Sequence, residues 1–80
     1  MTLAEYIRIK RLAAGLSQAE LAAKLKMSQS SVTQWECGYT APSAKNLKQL
    51  AKALRAPHAQ MIPLYFARAI ETKLKEKNHQ

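Results

Sequence analysis

"LSQAELAAKLKMSQSSVTQWECG", Leu16 to Gly38, contains two short helix patterns with only about three residues between them. Ser17 is followed three residues later by Glu20, the spacing of a capping box, and Leu16 stands before it at the position of a hydrophobic staple to Leu21. Leu21, Ala22 and Leu25 form the apolar stripe of this helix, which ends near Lys26. Ser28 opens the next helix, Met27 and Val32 repeat the staple spacing, and Gly38 ends it. So short a link forces the two helices to cross steeply instead of lying antiparallel.

The second of these helices is unusual on its outer face. With about 100° per residue, Gln29, Thr33, Cys37, Ser30 and Gln34 fall within an arc of about 140°, while Ser31, Val32 and Trp35 lie opposite and Glu36 at a boundary. Trp35 is therefore expected in the core. Gln29, Ser30, Thr33 and Gln34 make an exposed plate of neutral donors and acceptors. A plain solvated face accounts for the polarity, but not for the avoidance of Lys and Glu, the usual residues of such faces. Gln offers paired donor and acceptor atoms to the major-groove edge of adenine, and Ser or Thr can donate, accept or touch a thymine methyl.

The rest of the chain continues the helical pattern. Thr2 and Glu5 form another capping-box spacing, Leu3, Ile7 and Leu12 recur near helical spacing with Tyr6 beside them, and Gly15 ends the first helix. After the loop "YTAPS", Ser43 caps a fourth helix whose apolar face is Leu47, Leu50, Ala51 and Leu54. Pro57 suits the first position of a fifth helix, and Pro63 is expected to break or restart the chain. The 80 residues suit one all-α domain, with residues 1–62 as its body and residues 63–80 as a C-terminal amphipathic extension.

Thirteen Lys and Arg against five acidic residues give a net charge of +8, a surface that attracts polyanions. Nucleic acid is the first candidate and an anionic membrane surface the second, with "LYFARAIETKLKEK" as the basic amphipathic segment. Glu71 and Glu76 interrupt the charge of that segment, and no stretch approaches the ~20 apolar residues that span a bilayer. Cys37 is the single cysteine, so no intramolecular disulfide forms. With no apolar signal-type N-terminus, this suggests a reducing cytoplasm. His58 and His79 lie far from any acidic or Cys cluster. No zinc spacing, Gly-rich phosphate loop or nucleophile constellation occurs, so no enzyme, metal site or cofactor is expected.

The stretch Leu16–Leu54 resembles the helix-turn-helix of the phage-repressor and Cro-like family, also called the xenobiotic-response-element type. The likeness is strong in "LSQAELA", in Ser30, Val32, Thr33, Gln34, Trp35, Glu36 and Gly38, and from Pro42 through "LAKAL". It implies a compact five-helix, lambda-repressor-like bundle whose third helix enters the major groove. It also implies that Gln18 contacts a phosphate and braces the first recognition residue. Gln29 and Ser30, then Gln34 with Thr33 beside it, would read bases, and Arg11 would pair with Glu36. Phosphates would be met by Ser17 and Gln18, by Tyr39 and Thr40 in the loop, and by Ser43 and Lys45 at the next helix start. Where the family usually has Gly in the turn, this sequence has Lys26, which costs roughly 1 kcal/mol or more if left-handed and adds a cation near a phosphate.

One recognition helix covers few base pairs, so a homodimer on half-sites about 34 Å apart is expected. The family usually dimerises through its fifth helix and the segment after it. Here that region carries Met61, Ile62, Leu64, Tyr65, Phe66 and Ile70, a surplus of apolar residues that fits an interface. Two functions fit these features. One is a double-stranded-DNA-binding transcriptional regulator, a repressor acting on a pseudo-palindromic operator. The other is an antitoxin or accessory regulator whose C-terminal segment also clamps a partner protein.

Overall fold

The computed structural model describes residues 1–77, with side chains through Ile70. Five helices succeed one another: α1 (Leu3–Ala13), α2 (Gln18–Lys24), α3 (Gln29–Cys37), α4 (Ala44–Leu54) and α5 (His58–Lys77). No strand occurs among the described residues. Local chemistry sets most of the boundaries. The Glu5 backbone N–H donates to Thr2 Oγ1 at 3.2 Å and that of Glu20 to Ser17 Oγ at 3.0 Å, and in each case the Glu side chain reaches back to the cap. Ser43 Oγ caps the Asn46 N–H at 3.2 Å. Ser28 precedes α3 in an extended conformation but makes no side-chain cap bond; its Oγ lies 3.2 Å from Ser31 Oγ instead.

Gly15 and Gly38 end α1 and α3 in the left-handed region, at φ 72° and 79°. Two residues with side chains share that conformation, Lys26 at 56° and Arg55 at 52°. The α2–α3 turn thus keeps the left-handed step without a glycine, at a strain of about 1 kcal/mol.

The core draws on every helix: Leu3, Tyr6 and Ile7 from α1, Leu21 and Ala22 from α2, Val32 and Trp35 from α3, Leu47, Leu50 and Leu54 from α4, and Met61 from α5. Trp35 is buried, as its place on the helical wheel requires. Leu12 departs from expectation: it is 58% exposed. Five residues beyond Ile7 it has turned about 140° off the buried stripe, and Arg11 occupies the inward position.

α5 runs unbroken through Pro63, against the expectation of a break there. Proline removes the bond to the Ala59 carbonyl, four residues back. Burial of Met61 on one side, and of Leu64 and Tyr65 in part on the other, holds the helix across it. The helix is also pinned by the Tyr6 hydroxyl, which donates to Gln60 Oε1 at 2.8 Å. The boundary between residues 62 and 63 therefore falls inside one helix, and residues 78–80 of the expected extension lie outside the described residues.

The two capping boxes make stability sensitive to acid. Backbone and side-chain hydrogen bonds from Thr2 and Ser17 hold the Glu5 and Glu20 carboxyls below their ordinary value of 4.5. A lowered folded-state value means the stabilisation is present above the unfolded value and is lost as pH falls through the folded one. Glu5→Gln with Glu20→Gln is therefore expected to flatten the fall in thermal midpoint below pH 4.5. A melting series from neutral to acid pH checks it, and an unchanged slope would refute it.

Candidate nucleic-acid interface

Gln29, Ser30 and Gln34 are exposed on α3, and Thr33 is half-buried among them. With Tyr39, itself 79% exposed, they line one open concavity of about 530 Å³. The structure thus brings together Gln29, Ser30, Thr33 and Gln34 of the arc that the wheel defined, and adds Tyr39, two residues past the end of α3. Cys37 is an exposed free thiol one turn further along.

Beneath this plate runs a polar network that fixes α3 to α1 and α2. Arg11 Nε donates to Glu36 Oε2 at 2.6 Å and Nη2 to Glu36 Oε1 at 2.9 Å, a two-pronged geometry that a guanidinium and a carboxylate favour. Arg11 Nη1 donates to the Leu16 carbonyl at 2.8 Å. Gln18 Nε2 donates to Glu36 Oε1 at 3.2 Å, and Gln18 Oε1 accepts from Thr33 Oγ1 at 2.8 Å. The Glu36 hydrogen bond pushes the Arg11 guanidinium still further above its already high value, and burial opposes this only in part.

This network corrects one expectation. Gln18 does not brace Gln29, the first recognition residue; it braces Thr33 and Glu36. Thr33 Oγ1 also lies 3.1 Å from the Gln29 carbonyl, and its single proton serves one acceptor at a time. Thr33 is accordingly tied to the scaffold, while Gln29, Ser30 and Gln34 present their side chains outward. Gln34 Oε1 has Thr40 Oγ1 at 3.5 Å, a separation too long to hold it firmly.

The flanking candidates are distributed unevenly. Ser17 and Ser43 use their oxygens as caps, and each keeps a hydroxyl proton to donate. Tyr39, Thr40 and Lys45 are exposed around the α3–α4 loop, which buried Pro42 anchors. Lys26 is exposed but lines a different cleft, with Lys24, Gln49 and Lys52.

On α5, Met61 is fully buried in the core and so drops out of the candidate interface. Leu64 and Tyr65 are half-buried against the core, with Tyr65 edge-on to Phe66 at 5.7 Å between ring centres. Ile62 (38% exposed), Phe66 and Ile70 (58% each) remain outward, four residues apart along one face. Sequence reasoning missed Arg68, whose Nη2 donates to the Gly38 carbonyl at 3.2 Å and links α5 to the end of α3. A side chain that meets a backbone carbonyl thirty residues away leaves no local pattern to find.

Two helices crossing at a left-handed turn, the second showing a neutral polar plate and held by a buried ion pair, define a helix-turn-helix protein. The family model described as helix-turn-helix matches residues 7–60, and the chain belongs to that family, in its phage-repressor and Cro-like branch. Among characterised proteins it is similar to the HTH-type transcriptional regulator DicA of Escherichia coli (strain K12), at 44% identity over 55 residues. That stretch is 69% of this chain and 41% of DicA, so the chain spans less than half the length of this relative.

Proposed function

We propose that the protein is a sequence-specific double-stranded-DNA-binding transcriptional regulator, a cytoplasmic repressor that acts as a homodimer on a pseudo-palindromic operator. The observation that carries this reading is the plate: Gln29, Ser30 and Gln34 stand exposed and uncharged on a helix fixed from below, in a protein of net charge +8. Gln29 and Gln34 read base edges in the major groove, Ser30 adds a small contact, and Thr33 holds the helix at its pitch through Gln18. Ser17, Gln18, Tyr39, Thr40, Ser43 and Lys45 meet the flanking phosphates, which set register without carrying sequence information.

The outward stripe of Ile62, Phe66 and Ile70 supports the dimer, because a face of this kind in a small domain gains from burial against a second copy. The same stripe supports the second reading, an antitoxin or accessory regulator that clamps a partner protein there. A small protein that co-purifies in equal amount from the native host would favour that reading.

Selection of bound duplexes from a random pool tests the main reading. Enrichment of two related half-sites with centres about 34 Å apart on one DNA face is the expected result. A pool that shows no enriched sequence would refute base reading, and a lone half-site would refute the dimer.

A further inference from the structure

A second cationic surface lies away from the plate. A cleft of about 600 Å³ opens where the C-terminal ends of α1, α2 and α4 meet. Lys10, Lys24 and Arg55 stand around it, and Leu16, Ala53 and Leu54 supply its apolar lining, with Leu54 only 6% exposed. No acidic residue lines the cleft. An adjoining cleft shares Lys24 and Ala53 with it and adds Lys26 and Lys52. Arg55 stands just past the C-terminal end of α4, whose eleven residues place it about 16 Å from the Ser43 end that flanks the plate.

Cations at helix C-termini offset the negative ends of the helix dipoles, and Lys24 and Arg55 do this without a ligand. That role does not call for a concave cleft between them whose lining is in part apolar. Duplex DNA fits poorly, because its phosphates bring no apolar group to such a lining. Among the described side chains a second copy offers little to such a cleft, because Glu5 and Glu20 close capping boxes and Glu36 is paired with Arg11.

We propose that this cleft is a docking site for an acidic amphipathic segment of another protein, with carboxylates on Lys10, Lys24 and Arg55 and an apolar side chain against Leu16 and Leu54. Lys10 is partly committed, since its Nζ lies 5.6 Å from the Tyr6 ring centre; Lys24 and Arg55 are the exposed anchors. The site is separate from the base-reading plate, so the protein can hold operator and partner together.

The probe is a fluorescein-labelled peptide of glutamate pairs separated by single leucines, with a counterpart in which serine replaces each leucine. Fluorescence anisotropy is expected to show the leucine peptide bound about tenfold or more tightly than the serine one. Lys24→Gln with Arg55→Asn removes two charges, and Asn tolerates the left-handed backbone at position 55. This pair is expected to lose about tenfold or more in peptide affinity while holding the selected duplex within about threefold. Lys24→Arg with Arg55→Lys keeps the charges and should keep the peptide, which separates loss of charge from loss of fold. Equal binding of the two peptides, or peptide affinity unchanged by Lys24→Gln with Arg55→Asn, overturns the proposal. Displacement of the peptide by the selected duplex also overturns it, because the cleft would then belong to the DNA surface.

Discussion

Glu36→Ala is expected to lower the free energy of unfolding by about 3–5 kcal/mol, the loss seen when one partner of a buried ion pair is removed. The Arg11 and Glu36 side chains are only 10% and 4% exposed, so the pair is not a surface bridge of the kind worth about 0–1 kcal/mol. Without Glu36 the guanidinium keeps its bond to the Leu16 carbonyl but loses both carboxylate bonds. It cannot relieve the burial by shedding its proton, because its value is high to begin with. Gln18 loses an acceptor at the same time. A chain of 80 residues has a total stability of about 4–12 kcal/mol, so the single change removes a large share of it. Arg11→Met with Glu36→Leu is expected to recover most of the loss, since neither charge then has to be desolvated. Urea unfolding of the wild type and both variants measures this. A Glu36→Ala loss under about 1 kcal/mol would mean the pair behaves as an exposed bridge.

The same pair shows how far the sequence could be read. Features that depend on neighbours in the chain were legible: the capping boxes at Thr2 and Ser17, the left-handed glycines at 15 and 38, and Trp35 on the inner face of α3. Features that depend on where another helix lies were not. Gln18 chose Thr33 over Gln29 because of the crossing of α2 and α3, which spacing within either helix does not specify. Met61 and Phe66 are both apolar residues of α5, yet five positions apart they lie about 140° round the helix from each other, so one is fully buried and the other 58% exposed. Pro63 reads as a stop by local propensity, and tertiary burial on both sides overrides it. Arg55 in the left-handed region gave no signal, since a basic residue at a helix C-terminus is ordinary, whereas Lys26 stood out against a glycine expected in the turn.

Gln29→Ala and Gln34→Ala are each expected to weaken binding to the selected site by about 1–3 kcal/mol, the value of a good two-atom contact to a base. The two residues are five positions apart on α3, about 7.5 Å along the axis, so they address different base pairs and their effects should add. The double variant is then expected to lose about 2–6 kcal/mol, from roughly thirtyfold to above ten-thousandfold in affinity. Binding to unrelated duplexes should stay near the wild-type value, because the plate carries no charge and contributes little to the electrostatic attraction that non-specific binding draws on. Lys45→Ala should do the reverse: it weakens every duplex about equally and reduces the log–log salt slope by about 0.9. Titrations of each variant against the selected site and a scrambled duplex, at several salt concentrations, separate the two behaviours. Thr33 is the useful contrast, since its hydroxyl is turned toward Gln18; its replacement by Val should act through the pitch of α3 and relax discrimination at every position the helix reads. If both single glutamine variants and the double one bind the selected site as the wild type does, the plate is not the reader, and the exposed polar arc of α3 is only a solvated face.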